Sequence, residues 1–495
     1  MALKVADFIK KVKESTGIKD ITRDQKLLSS FTTAGAVKGK KPAAVIRPHS
    51  AEEVKSLVEL ASAENVNLVF FSSPPPRFNG GCIPQSEGVM VDMSKMDKIV
   101  RIDRRNKVAL IEPGVSYEQL KAEVEKKGMK VLMPLLPRAG KSVIASCLER
   151  EPIQIPKYHW DMTDPLLCTE LIFGTGDKFR TGSAAGPGTL EQQWAAGGAQ
   201  KNPLGPAQTD FSRIVQGAQG TMAAVNWATV KLEVLPKVHK LFFITSNELS
   251  ALVDFTYKAM RPKLGDEFFI INNYKAANIA AAIKGGETEN ISAKLDRYML
   301  VFAVAGCDIL PEKRAAYQEN DLHEIASSLG LKPVMDTPAF SSEEFRRIIA
   351  EPSPEPYYKY APRGDFLDIF FLTTLDRAEG FIKEMMEAAS DHSYDGEKLG
   401  IYIQPIQHGR NVHMEFTIYY DSSVKKEKDD TIKFFRDASE RLSKAGAFYS
   451  RPYGFWSDIA YERCPDTVSA LQKVKGILDP DNILNRGKLC FKEVE

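Results

Sequence analysis

The chain has 495 residues, which is more than one ordinary hydrophobic core accommodates and suits two domains. Lys and Arg total 66 against 65 for Asp and Glu, and the net charge of +1 gives no support to nucleic-acid binding. No apolar run is long enough to predict a membrane span, and the charged amphipathic start lacks the apolar region of a signal peptide.

The cysteines lie far apart, and none forms a CxxC pair. This spacing predicts neither an iron–sulfur cluster nor a structural zinc site, and no metal ligand set is assigned. Scattered cysteines are typical of a reducing compartment, so we expect a cytoplasmic protein. The cysteines are Cys82, Cys147, Cys168, Cys307, Cys464 and Cys490.

The first part of the chain begins with an amphipathic helical pattern at residues 5–16. Ser50, with Glu53 three residues later, is a capping-box pattern that predicts the start of a helix. Around it and beyond it the sequence predicts strands at 43–47 and 67–71, three β-rich runs within 88–115, a helix at 117–127, a hairpin turning at Gly176-Asp177 and a β-rich run ending near Pro236.

The later part of the chain alternates strand and helix patterns, which predicts a sheet with helices on one face. The predicted helices are at 249–260, 317–329, 377–390 and 429–444, with β-rich runs between them. The prolines of the segment 351–364 indicate a long loop that serves as a lid or an interface.

Several strings in this sequence resemble one flavoprotein family. They are Asn79-Gly80-Gly81, GVMVDMSKMDKIVRID, ALIEPGVSYEQL, SVIASCLER, TELIFGTGDKFRTG, DFSRIVQGAQGTMAAVNWATVKLEVLP and LDPDNILNRGKL. In this order they resemble the vanillyl-alcohol oxidase and p-cresol methylhydroxylase family of FAD-linked oxidases, over residues of roughly 40–236 and 440–491. The resemblance implies an α+β protein, with a PCMH-type FAD-binding domain formed from both chain ends and an inserted α+β cap that binds substrate.

The implied domains are residues 1–236 for the FAD-binding domain, 237–440 for the cap and 441–495 for the return to the FAD-binding domain. FAD carries a pyrophosphate, which needs converging backbone N–H donors, and glycines let the backbone approach it closely. The alternative for each glycine is an ordinary turn. The candidate cofactor-binding residues are Arg77, Asn79, Gly80, Gly81, Glu149, Arg150, Gly217, Gly220 and Lys488.

Two loops depart from the family's glycine-rich pattern. Pro74, Pro75 and Pro76 stand where the family's pyrophosphate loop donates N–H groups, and proline has none. Arg77 is a possible replacement charge. In the second loop Glu151 and Pro152 follow directly after Glu149-Arg150, and the added carboxylate is expected to repel a pyrophosphate.

The most polar strand-like segment is 404–415. Alternation places His408 and Arg410 on one face and Asn411, His413 and Glu415 on the other. His413 is a candidate base or substrate-orienting group, with Glu415 setting its tautomer. Two alternatives stay open: His408 and His413 bind a metal, as in relatives that act on 2-hydroxy acids, or the strand face is merely solvated.

A second cluster lies at 448–456, where phenol-oxidising relatives carry a Tyr–Arg pair that holds the phenolate. Tyr449 and Arg451 are the nearest matches, shifted by one residue. The alternative is that this aromatic run is core packing. The candidate catalytic residues are therefore His413, Arg410, Tyr449 and Arg451.

Three functions follow from these patterns. The first is an FAD-dependent dehydrogenase or oxidase of a small hydroxylated or aromatic substrate, with oxygen or an electron-transfer protein as acceptor. The second is a cofactor-free subunit that associates with a flavin-bearing paralogue in an oligomer. The third is a binding protein for another nucleotide or coenzyme. No nucleic-acid partner is expected.

Overall fold

A computed structural model describes residues 2–158, 164–205 and 211–492 of the chain. Residues up to Val234 form twelve strands within the described part. The strands are β1 (Ile21–Thr22), β2 (Thr33–Ala34), β3 (Val37–Lys38), β4 (Val45–Ile46), β5 (Asn67–Phe71), β6 (Gly88–Asp92), β7 (Ile99–Asp103), β8 (Val108–Ile111), β9 (Met129–Val131), β10 (Leu166–Phe173), β11 (Lys178–Arg180) and β12 (Ala223–Val234). The helices are α1 (Ala2–Ser15), α2 (Gln25–Ser29), α3 (Ala51–Glu64), α4 (Tyr117–Glu125), α5 (Val143–Leu148), α6 (Leu190–Ala195) and α7 (Phe211–Ile214).

Two sheets organise these strands. The first has the order β1-β4-β6-β5 and is parallel except at β1, while the second has the order β11-β10-β12-β8-β7, with β9 also paired to β12, and is antiparallel. The capping prediction is confirmed, because the Ser50 side chain accepts a hydrogen bond from the Glu53 N–H at the start of α3.

The remaining strands are β13 (Val238–Ser246), β14 (Phe268–Asn272), β15 (Tyr298–Gly306), β16 (Asp365–Thr373), β17 (Gly400–Ile406) and β18 (Asn411–Tyr420). They form one antiparallel sheet in the order β13-β15-β14-β17-β18-β16. The helices are α8 (Leu249–Met260), α9 (Asn273–Lys284), α10 (Thr288–Ser292), α11 (Pro311–Ser327), α12 (Ser342–Ile349), α13 (Ala378–Asp391), α14 (Lys425–Lys444), α15 (Trp456–Tyr461) and α16 (Pro465–Leu478).

Helices cover both faces of this sheet, which corrects the expectation of one covered face. Side chains of α8, α11, α13 and α14 share a core with Ile270 and Leu300. Side chains of α9 and α12 pack on the opposite face with Phe269 and Val301. Consecutive strand residues thus enter different cores, and this explains why β14 and β15 are apolar without alternation.

The C-terminal segment returns to the first sheet. The Leu68 N–H donates to the Ile483 carbonyl at 2.7 Å, and the Asn485 N–H donates to the Leu68 carbonyl at 2.8 Å. These bonds add residues near the chain end to β5 as a parallel bridge. In the described ranges, no helix has both the length and the apolar character needed to cross a membrane.

Candidate functional site

One cavity of about 290 Å³ extends from the loops beyond β5, α5 and α7 to the sheet formed by β13–β18. Seven predicted cofactor-binding residues line it: Arg77, Asn79, Gly80, Gly81, Glu149, Gly217 and Gly220. Two predicted catalytic residues, His413 and Arg451, line its other end. The cavity therefore joins the two predicted halves of the site.

Two predicted cofactor-binding residues do not line this cavity. The Arg150 guanidinium donates to the Gln216 carbonyl at 2.9 Å and lines a small neighbouring void. The Lys488 ammonium donates to the Gly80 carbonyl at 2.7 Å from the far side of that loop and lines a second cavity. Both residues thus support the glycine loops from behind, which corrects the expectation of direct contact.

The glycine positions are shaped for close approach. Gly80 has φ of +76°, and a Cβ there would lie 2.7 Å from the side chain of Val37. Gly217 has φ of +70°, and a Cβ there would lie 3.3 Å from the Arg150 guanidinium. Both residues have φ in the left-handed region and leave little space for a Cβ, so these positions favour glycine. As a result, the cavity wall carries no side chain at either position.

The proline loop is clamped by Arg138, a residue that the sequence reasoning missed. Its guanidinium donates to the carbonyl oxygens of Pro74, Pro75 and Pro76 at 3.0, 2.8 and 2.6 Å. It also pairs with Glu355 at 3.2 Å. The loop therefore presents carbonyl oxygens to a cation, where a pyrophosphate would require N–H donors.

Arg77 lies against aromatic rings. Its guanidinium carbon is 4.2 Å from the ring centroid of Phe31 and 4.7 Å from that of Phe71. Burial lowers the pKa of Arg77, although the side chain remains a cation. Arg77 thus keeps a positive charge beside the cavity while its guanidinium is stacked on two rings.

The second loop carries its own counter-charge. The Lys141 ammonium bonds to Glu149 at 2.7 Å and to Glu151 at 2.6 Å. Burial alone would raise the pKa of Glu151, but the Lys141 cation outweighs it and holds that pKa below its ordinary value. The carboxylate expected to repel a pyrophosphate is therefore paired, which reduces the repulsion predicted from the sequence.

A group of buried charges lines the end of the cavity at the sheet formed by β13–β18. Asn272 caps α9 by accepting from the Lys275 N–H, and this places Lys275 on the first turn, facing β18. The Lys275 ammonium lies 2.5 Å from Glu415 Oε1, and the Lys359 ammonium lies 2.8 Å from the same oxygen. Lys359 also bonds to Asp368 at 2.7 Å. Two lysines and two carboxylates thus form one connected network.

The pKa shifts in this network follow from that geometry. Burial would raise the pKa of Glu415, but Lys275 and Lys359 hold it well below its ordinary value. Burial lowers the pKa of Lys275, which has one carboxylate neighbour, whereas two carboxylates raise the pKa of Lys359 despite burial. Glu415 is therefore ionised at neutral pH.

His413 and Arg451 meet beside this network. The Arg451 guanidinium lies 3.4 Å from His413 Nδ1 and 4.0 Å from the ring centroid of Phe370. Arginine only donates, so Nδ1 is the acceptor and the ring proton of the neutral imidazole is on Nε2. Burial lowers the pKa of His413 to about 4, and its buried Nε2 has no hydrogen-bond partner among the described residues.

Two predicted catalytic residues lie away from the cavity. Arg410 is exposed in the turn between β17 and β18, because the strand pattern is interrupted at 407–410. The Tyr449 hydroxyl donates to the Ser439 carbonyl at 2.7 Å, and its ring stacks on Trp456 at 4.8 Å. Both placements correct the expectation of substrate contact, and Tyr449 is a packing residue.

The metal alternative receives no support from the placement of the two histidines. His408 lies in the same turn as Arg410 and does not line the cavity that His413 lines. Elsewhere, His239, Asp266 and Glu267 converge, but the Lys130 ammonium bonds both carboxylates at 2.8 and 2.6 Å. That cluster is an ion-pair network between β9 and the sheet that contains β13–β18.

Residues 42–144 match the FAD binding domain, and residues 373–489 match the C-terminal domain of FAD linked oxidases. The glycolate oxidase subunit GlcD of Bacillus subtilis is 22% identical over 91% of this chain and 90% of its own length. The D-2-hydroxyglutarate dehydrogenase of Stutzerimonas stutzeri is 22% identical over 90% of this chain and 91% of its own. A mitochondrial D-lactate dehydrogenase [cytochrome] of Arabidopsis thaliana is 24% identical, over 40% of this chain and 31% of its own.

Solved structures confirm the predicted fold. The structure of p-cresol methylhydroxylase with substrate bound has a TM-score of 0.82 and 17% identity, and covers 99% of this chain and 97% of its own. A 4-ethylphenol oxidase from Gulosibacter chungangensis has a TM-score of 0.83 and 18% identity, and covers 99% of this chain and 98% of its own. The chain thus has a mixed α+β fold with a PCMH-type FAD-binding domain, and it is homologous to the FAD-linked oxidoreductases.

Proposed function

We propose that the chain is an FAD-linked oxidoreductase that acts on a small hydroxylated substrate bearing a negative charge, such as a 2-hydroxy acid. The observation that carries this proposal is the single cavity that joins the glycine loops to Arg451 and His413. Its glycine walls allow a cofactor to approach the backbone closely, while the clamped proline loop lacks the donors expected for a pyrophosphate.

Arg451 is the proposed anchor for the substrate's charge. Its side chain is 5% exposed, and among the described residues no carboxylate lies within ion-pair distance of it. A buried cation without a counter-ion favours an anionic ligand, and a guanidinium matches the two oxygens of a carboxylate. A neutral phenol would leave this charge uncompensated.

His413 is the proposed donor to the substrate's oxygen. Its Nε2–H is buried and has no acceptor in the described part of the chain, where Glu415 Oε2 lies 3.9 Å away. Because the imidazole stays neutral at physiological pH, it donates a hydrogen bond without adding charge. The ionised Glu415 and its two lysines stabilise β18, the strand that carries His413.

FAD, when bound, would accept the hydride from the substrate carbon, and the proton of the substrate hydroxyl would leave to water. The glycine loops around Gly80 and Gly217 would lie along it, and Arg77 would supply positive charge nearby. The sequence carries no haem or iron–sulfur motif, so the proposal includes oxygen or an electron-transfer protein as the final acceptor. A reducing cytoplasm is proposed as the compartment, supported by six cysteines that are all free.

The test is a visible spectrum of the purified protein, with chromatography of any flavin that denaturation releases. About one FAD per chain, together with reduction of an artificial acceptor by glycolate, D-lactate or D-2-hydroxyglutarate, is the expected result. Turnover of 4-alkylphenols in preference to these acids would contradict the proposed anion site. A protein that stays colourless after incubation with excess FAD would contradict the oxidoreductase proposal for the isolated chain.

A second candidate is favoured by one specific observation, the three proline carbonyls that Arg138 occupies. As this second function, we propose that the chain is a cofactor-free subunit that associates with a flavin-bearing paralogue. The test replaces Pro74, Pro75 and Pro76 together with glycine and measures FAD binding. Gain of FAD in this variant but not in the wild type supports the candidate, whereas stoichiometric FAD in the wild type rules it out.

A further inference from the structure

The fold encloses a second, larger cavity of about 870 Å³ next to the candidate active site. It lies between the β2–β3 hairpin, α14, the segment 452–458 and the C-terminal residues 487–492. We infer that this cavity is a separate binding site for an aromatic organic anion, with Lys488 as the group that holds its phosphate or carboxylate. This inference does not depend on the proposed function.

Lys488 is the central observation. Its side chain lines the cavity and is 4% exposed. The ammonium has three donors, and Gly80 O at 2.7 Å is the acceptor that the described residues provide. No carboxylate of the described chain lies within ion-pair distance of it, so the buried charge lacks a counter-ion. An anionic ligand would supply both the counter-ion and the missing acceptors.

The rest of the lining has an excess of positive charge. Its cationic side chains are Lys38, Lys428, Lys433, Arg436, Lys488 and Lys492, and its acidic side chains are Asp368, Asp429 and Asp458. Asp368 and Asp458 are already bonded, to Lys359 and Lys492 respectively, and Lys433 is bonded to Asp430 at 3.2 Å. Within the described residues, Lys38, Lys428, Arg436 and Lys488 are then the lining cations without an ion pair, against Asp429. The resulting potential attracts anions to the cavity mouth.

Aromatic side chains form much of the remaining wall. Phe78, Phe366, Tyr453 and Phe455 line the cavity, and the Arg436 guanidinium lies 4.7 Å from the Phe455 ring centroid. Rings beside cations suit a ligand that combines a planar aromatic group with an anionic group. The volume lies within the usual range of roughly 300–1,000 Å³ for small-molecule sites.

This cavity is next to the first one and distinct from it. Phe78, Asn79, Gln219, Asp368 and Tyr453 line both cavities and form the shared wall. The Gln219 side chain is fixed by its bond to the Pro452 carbonyl at 3.0 Å. Arg451 and His413 line the first cavity and not the second, so an anion in the second is held by different residues.

The experiment is isothermal titration calorimetry of the full chain with phenyl phosphate, benzoate and phenol. We expect phenyl phosphate or benzoate to bind and phenol not to bind. Lys488→Met keeps the length of the side chain but removes the charge, and is expected to lower the affinity for the anion by about tenfold or more. Arg436→Gln, at an exposed position where folding is not at risk, is expected to weaken it several-fold.

Two further variants make the outcome decisive. Lys425→Met removes an exposed charge from the start of α14, outside the cavity lining, and is expected to leave binding unchanged. Arg451→Met is also expected to leave it unchanged, because that residue belongs to the first cavity. Absence of anion binding, equal loss in Lys425→Met, or loss in Arg451→Met with none in Lys488→Met and Arg436→Gln would each overturn the inference.

Discussion

Arg451 donates a hydrogen bond to His413 Nδ1 over 3.4 Å, and this contact fixes the proton of the neutral imidazole on Nε2. We predict that ¹⁵N spectra of labelled histidine will assign His413 to the Nε2–H tautomer. Arg451→Met should release that preference and should weaken a bound 2-hydroxy acid by about ten- to a hundredfold, since a hydrogen bond to a charged group contributes roughly 1.5–3 kcal/mol. An unchanged spectrum and affinity would remove Arg451 from the site.

His413 also makes stability depend on pH. Burial lowers its pKa from 6.5 to about 4, so below pH 6.5 the unfolded chain binds a proton that the folded chain resists. Stability is therefore lost as the pH falls, by roughly 2 kcal/mol between pH 7 and pH 5. Urea unfolding of wild type and His413→Asn at both pH values checks this. The same loss in both proteins would assign it to other groups.

Glu415 holds two buried ammonium groups, and its loss should be costly. Glu415→Gln leaves Lys275 and Lys359 with Asp368 as the remaining carboxylate, and the unfolding free energy should fall by about 3 kcal/mol or more. Denaturant unfolding measures the change. Lys425→Met, at the exposed start of α14, is the control for removal of one charge and should change stability by roughly 0.5 kcal/mol at most.

Arg138 joins the proline loop to Glu355, and we predict that it keeps the loop rigid. Arg138→Met would leave the carbonyls of Pro74, Pro75 and Pro76 without their described donor. Amide hydrogen exchange at Ser73, Arg77 and Phe78 should accelerate by about tenfold or more, while exchange in β15 should stay unchanged. Unchanged exchange around the loop would show that the prolines alone fix its conformation.

Sequence reasoning recovered the parts of this molecule that local patterns encode. Ser50 and Glu53 predicted the start of α3, and the run of β-branched and aromatic residues predicted β5 at Asn67–Phe71, as observed. It also placed His413 and Glu415 on one face, because alternation along a strand is a local property. The prediction put Arg410 on a strand, whereas the chain turns at residues 407–410. An alternating pattern does not by itself indicate where a strand ends in a turn.

The PCMH-type fold, the glycine loops and the lack of N–H donors at three prolines could be predicted before the fold was known, since each depends on residue type and order. The pairing of the buried charges could not, because it depends on how distant segments pack. Lys275 lies at the start of a helix that was not predicted, Lys359 in a short turn and Arg138 in a loop. Their partners are Glu415, Asp368 and the proline carbonyls, respectively, and lie from 9 to 140 residues away along the chain. Ion pairing depends on the distance between charges in space, and a local sequence pattern does not indicate which charges will lie close together.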